Sequence, residues 1–295
     1  MFKNLCPSML GISGRQSEII ELTLTYGFRG LDLEVDDFAQ RAKAQGLDQS
    51  IRFITSAKLR IGSVDLPVRW RSDDATYQAD LAELDQVASY AAKAKVYACK
   101  TIVFPESDRL PYHENFEQHR KRLAEIAELL GKHNIRLAVG FHAAAARREG
   151  KQFQFIQVAD AMSFLLKSVN GNNVGLWLDT WDWYVGGGTV DSLKAFGIER
   201  VAYVTIADAP NGIDRSALTE AQRTMPTEDG AASVQDIVAL LDEKNYNGPI
   251  TLAPNADCFT GMKNDAILKQ CKAVLDELTA ASDADRKLAT TAAGH

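Results

Sequence analysis

Along 295 residues, short apolar runs alternate eight times with stretches of helical spacing. The runs are Lys3–Leu10, Gly30–Val35, one held within Ile51–Val64, Cys99–Pro105, Ile135–Phe141, Val174–Leu178, Val201–Ala207 and Ile250–Ala253. Ser17 is placed to cap the first helix, and Asp73–Lys95 carries Leu81, Leu84, Val87, Tyr90, Ala91 and Ala94 on one face. Phe116, Leu123, Ile126 and Leu130 mark a further helix, followed by Gln157–Val169, a helix capped by Ser233, and Lys263–Leu278. Strands separated by helical crossovers pair in parallel. Eight such units close on themselves, so the expected fold is α/β, a single-domain (β/α)8 TIM barrel over residues 1–278. The alternative is an open doubly wound sheet, against which no G-x-G-x-x-G follows the first run. The small, polar segment 279–295 is expected to be disordered.

Size agrees, since a barrel of this kind takes about 250 residues. The chain is 46% hydrophobic and 24% charged, with a net charge of −6 spread along its length. Mixed charge without a basic patch argues against nucleic acid as a partner. No apolar run reaches the roughly 18 residues of a membrane span, and the first residues read as a strand, not a signal peptide. Cys6, Cys99, Cys258 and Cys271 are far apart and form no C-x-x-C. Reduced thiols in a cytoplasmic protein are the simplest expectation.

The stretch VGLWLDTWDWYVGGG, Val174 to Gly188, is the densest in chemistry. A buried run ends on Asp179 and opens into Trp181, Asp182, Trp183, Tyr184 and three glycines. In barrels of this class, functional groups sit on strand ends and on the loops after them. Asp179 therefore reads as a site residue, or as the cap of the next helix.

Several motifs together resemble one family. They are LDTW at the sixth strand, IADAP at the seventh, R-x-M-P followed by D-G, and Y-x-GPIT at the eighth, with LPVRW and PESDRLPYHENF as further exit loops. This combination is similar to the xylose isomerase-like barrels, the sugar-phosphate isomerase/epimerase group. The resemblance spans about Lys3 to Leu278. It implies a divalent metal held at the ends of strands five to eight, with proton transfer through an enediolate. The matching positions here are Gly140, Asp179, Thr205 and Ala253, of which only Asp179 is a strong metal donor. No metal is therefore expected, unless a Mn, Mg or Zn site is rebuilt from His142, Asp208 or Asp257.

The resemblance puts Arg223 against substrate oxygens; the alternative is a salt bridge that orders its loop. Asp179 and Asp182 are the candidate acid/base pair, in which burial and mutual repulsion raise one pKa. Glu34 is a third candidate, or a partner of Arg60 or Arg69. Arg69 and Trp70 are candidates for a sugar-pocket wall, and Trp181 for a ligand contact or for packing. His113 and His142 complete the expected substrate-binding set.

The expected partner is a sugar, cyclitol or polyol, and the resemblance is consistent with a homo-oligomer. The expected function is isomerase- or epimerase-like, with a degenerate metal site. The rival is a barrel that binds a ligand or partner without catalysis. A DNA-repair endonuclease ranks last, because the chain's five histidines are scattered.

Overall fold

A computed structural model describes residues 1–33, 44 and 46–280. Eight parallel strands close into a barrel. They are β1 (Phe2–Leu5), β2 (Gly30–Leu33), β3 (Arg60–Asp65), β4 (Val96–Val103), β5 (Arg136–Phe141), β6 (Val174–Asp179), β7 (Val201–Ile206) and β8 (Pro249–Leu252). Each pairs with its sequence neighbour, and β1 closes the ring on β8 through Lys3 opposite Ile250. A short antiparallel ribbon, Glu106–Ser107 with Phe153–Gln154, sits outside the barrel.

The helices are α1 (Gln16–Thr25), α2 (Leu47–Ser56), α3 (Asp74–Lys93), α4 (Tyr112–Lys132), α5 (Ala159–Ser168), α6 (Thr180–Val185), α7 (Val190–Phe196), α8 (Val234–Glu243) and α9 (Asn264–Leu278). Asp73 caps α3 by accepting from the Thr76 N–H at 2.9 Å. Leu84, Ala88 and Ala91 bury its inner face, and Leu123, Ile126 and Leu130 do the same for α4.

Local chemistry moves some expected boundaries. The first strand stops at Leu5, because Pro7 opens a 3-10 turn. Ser17 lies inside α1, whose entry is closed by Glu18 accepting from the Arg15 N–H at 3.0 Å. The front half of Ile51–Val64 belongs to α2, and only Arg60–Asp65 is strand. Ser233 precedes α8 with a left-handed backbone (φ 51°) and makes no side-chain cap. The loop expected after Asp179 is a helix of 6 residues, α6. Glu34 and residues 281–295 lie outside the described residues.

The barrel is filled, not hollow. Asn4, Asp32, Lys100, Tyr203 and Thr251 come from five strands and meet at its axis. Lys100 Nζ lies 2.9 Å from Asp32 Oδ2, and the Tyr203 hydroxyl donates to the same oxygen at 2.6 Å. Asn4 Nδ2 donates to Asp32 Oδ1 at 2.8 Å and to Thr251 Oγ1 at 3.0 Å. Gly30 and Gly62 leave room for Asn4, whose Oδ1 a Cβ there would meet at 2.5 and 2.3 Å. Above this cluster lies Trp177, with its ring 5.7 Å from the Lys100 ammonium and packed edge-on against Tyr203.

Candidate active site

The mouth holds a cavity of about 350 Å³. Trp177, Ile102, Phe141 and Met9 supply its apolar surface, and Asp179, Asp182, His142, Glu220 and Arg223 its charged or titratable groups.

Asp179 is the last residue of β6, and parallel register sets Thr205 of β7 beside it. Thr205 Oγ1 donates to Asp179 Oδ2 at 2.7 Å and accepts from Trp177 Nε1 at 2.8 Å. Asp179 also caps α6, accepting from the Asp182 N–H at 2.9 Å. Its two expected roles, site residue and helix cap, therefore coincide. The cap turns Asp182 into the mouth, where Oδ1 accepts from the Ala143 N–H at 2.8 Å.

Arg223 lies between the two acids. Nη2 donates to Asp179 at 2.5 Å and Nη1 to Asp182 at 3.1 Å. Nε and Nη2 each reach the Ala253 carbonyl at 3.4 Å, and Glu220 Oε2 is 3.7 Å from Nη1. The Trp181 ring lies 5.1 Å from the guanidinium carbon. The loop that carries Arg223 is tied down on several sides. Asp208 and Thr224 exchange backbone hydrogen bonds, Asn255 donates to the carbonyls of Arg223 and Glu220, and Trp181 Nε1 donates to the Gln222 carbonyl.

Burial pushes the Asp179 carboxyl up and the charge of Asp182 adds to this, against the pull of Arg223. Burial presses on Asp182 as well, but contact with His142, the guanidinium and the Ala143 N–H hold it below the ordinary range. The two acids share one guanidinium and titrate as a unit, with the proton favouring Asp179. Burial works against the charge on Arg223, yet the surrounding carboxylates raise its pKa further.

His142 lies 3.5 Å from Asp182 through Nδ1, and its ring stacks on Phe104 with centroids 6.3 Å apart. That Nδ1 is buried and has no hydrogen-bond partner. Donor atoms of His142, Asp182 and Glu220 lie within 4.8 Å of one another, close enough to be drawn around a cation. The guanidinium already contacts two of these three.

Of the four side chains at the matching positions on the ends of β5 to β8, only Asp179 is a carboxylate. Gly140 offers no donor, and a Cβ there would meet Ile102 Cδ1 at 2.9 Å and the Trp177 ring at 3.2 Å. The Thr205 hydroxyl is engaged on both sides, and Ala253 contributes only its carbonyl. Of the three residues from which a site could be rebuilt, only His142 lines the cavity. Asp208 is buried and accepts from the N–H groups of Ala209 and Ala232, while Asp257 is exposed on a 3-10 turn.

The remaining expected residues do not line the cavity. Trp70 is core, donating to Thr101 at 2.8 Å and packing against His119. Arg69 points to solvent and forms a two-pronged pair with Asp80 at 2.8 and 2.9 Å. His113 is exposed in the first turn of α4 against Tyr112. Trp181 is fully buried behind Arg223. Among the residues that line it without having been singled out in the sequence are Trp177 and Glu220. An indole within the apolar run before Asp179 was the available signal for the first; for the second there was none.

A search of curated proteins finds no match. Among solved structures, a xylose isomerase domain protein from Alicyclobacillus acidocaldarius superposes with a TM-score of 0.85 at 19% identity, covering 96% of this chain and 99% of its own. The IolI protein with a bound zinc atom gives 0.79 at 14% identity over 96% and 99%. D-psicose 3-epimerase, in the presence of D-fructose, gives 0.70 at 14% over 95% and 98%. At these identities the likeness establishes the fold alone. The sequence profile of the xylose isomerase-like TIM barrels matches residues 20–278, which cover β2 to β8 and every charged group of the mouth. The chain therefore belongs to the xylose isomerase-like TIM barrel family.

Proposed function

We propose that this chain is an isomerase- or epimerase-like protein that takes a sugar, cyclitol or related polyol into the cavity at its barrel mouth. It moves a proton next to a carbonyl without a resident divalent ion. The single observation that carries this reading is the paired setting of Asp179 and Asp182, both lining the cavity and both held by Arg223, where burial pushes the Asp179 carboxyl up while His142 and the guanidinium hold Asp182 down. Asp179, the member that favours the proton, supplies it to the carbonyl oxygen. His142 Nδ1, which lies 3.5 Å from Asp182 and makes no hydrogen bond, takes the proton from the adjacent carbon. The resulting enediol is reprotonated on the neighbouring carbon or on the other face. Trp177 offers a flat apolar surface to the C–H face of the ring. Structures similar to this chain include an epimerase solved with D-fructose and a probable 3-DHS dehydratase, which fits proton transfer on polyhydroxylated carbon.

The test is solvent deuterium uptake by a panel of keto-sugars and cyclitols, read by mass spectrometry. Exchange that disappears in Asp179→Asn, with the fold kept, supports the reading; exchange unchanged in that variant removes Asp179 from the chemistry. A second reading, a binding protein without turnover, is favoured by the engagement of Arg223 and both acids with protein partners. Ligands that bind and never exchange would establish it.

A further inference from the structure

Arg223 carries five N–H donors, of which four make hydrogen bonds to protein acceptors. Asp179, Asp182 and the Ala253 carbonyl lie within 3.4 Å, and Glu220 completes the ring at 3.7 Å. Three of these partners come from the ends of β6 and β8 and from the short helix after β6. The guanidinium thus sits where groups from several strands converge, with its charge against the buried Asp179–Asp182 pair. The neighbouring strand ends are closed to any replacement, by Trp177 against Gly140 and by the engaged hydroxyl of Thr205.

We infer that the guanidinium of Arg223 is the built-in cation of this mouth, a covalently attached charge in the place where a divalent ion would otherwise balance Asp179 and Asp182. Arg223 is accordingly a positioning residue that holds the two acids and leaves ligand contact to other groups. The inference rests on the metal-free reading above, but it is tested without substrate, so a failure to find turnover leaves its outcome intact.

The experiment compares purified wild-type protein with Arg223→Ala and Arg223→Lys. Metal content is measured, and thermal unfolding is followed with and without Mn²⁺, Zn²⁺, chelator or millimolar methylguanidinium. The wild type is expected to hold no stoichiometric metal and to shift by less than 1–2 °C with any addition. Removing one partner from a buried ionic cluster is strongly destabilising, so Arg223→Ala is expected to melt about 10 °C lower. Methylguanidinium, but not an equal concentration of sodium chloride, restores part of that loss. Arg223→Lys keeps the charge without the fork, and falls between the two. Should Arg223→Ala fail to fold, the intermediate stability of Arg223→Lys and the metal content of the wild type still decide. A tightly held, stoichiometric divalent ion in the wild type overturns the inference. So does an Arg223→Lys or Arg223→Ala protein as stable as the wild type.

Discussion

Gly140 shows at the scale of one residue why the mouth is built as it is. The space a longer side chain would need is taken by Trp177 and Ile102. Gly140→Glu is therefore expected to lower stability by about 3 kcal/mol or more, combining overpacking with a buried charge. It is not expected to create a metal site, which thermal melts and metal analysis will check. Gly230 is equally constrained, since a Cβ there would run into the Asp208 carboxylate. Asp208 secures the N–H groups of Ala209 and Ala232, so Gly230→Ala should loosen the loop that presents Arg223. At this scale the acids were legible in sequence. Asp179 ends an apolar run and Asp182 follows three residues on, a spacing that one turn of helix converts into two carboxylates at one opening. Trp70, Arg69 and His113 were not legible in the same way. A polar or aromatic residue on an exit loop points to the mouth or away from it according to its partners, and Thr101 and Asp80 claim the first two.

On α4, His119 is an element-scale case. It is buried between Trp70 and Phe155, with Nδ1 2.8 Å from the Asn115 carbonyl. Burial pulls its pKa down from 6.5 to about 3. Between those values the unfolded chain binds a proton that the folded chain refuses. Its contribution is complete above pH 6.5 and is lost as pH falls, by about 1.4 kcal/mol per pH unit. His119→Phe should flatten that part of the stability curve, as denaturant titrations of both proteins between pH 7 and 5 will show. The elements themselves were legible because apolar period separates strand from helix wherever a run is long, as in β4 and α4. A boundary failed where a single backbone preference intervened, as at Pro7, whereas the helix after Ser233 starts where expected and only the side-chain cap is missing.

Across the whole molecule, closure of the barrel assembles two charged centres from residues far apart in sequence. Asp32 and Lys100 lie 68 residues apart, and only ring closure brings them together. Lys100→Met strands a buried carboxylate and is expected to cost about 3–5 kcal/mol, while the double change with Asp32→Leu should recover much of it. Equilibrium unfolding of the three variants measures the coupling. The second centre, at the mouth, bears on which ligand charge the proposed function would favour. Among the described residues lining the cavity, Arg223 is the sole Lys or Arg, and four of its five donors are committed to protein acceptors. A free keto-sugar should therefore bind at least tenfold more tightly than its phosphate ester, which calorimetry on such a pair will decide.

Trp177 turns the floor of the cavity into an optical gauge. Of four tryptophans it alone borders the cavity, while Trp70, Trp181 and Trp183 are sealed in protein. A guest settling on that indole changes the polarity around one emitter and leaves the other three unaltered. Docking would then be visible as a shift in intrinsic fluorescence, with no label attached and no reaction required.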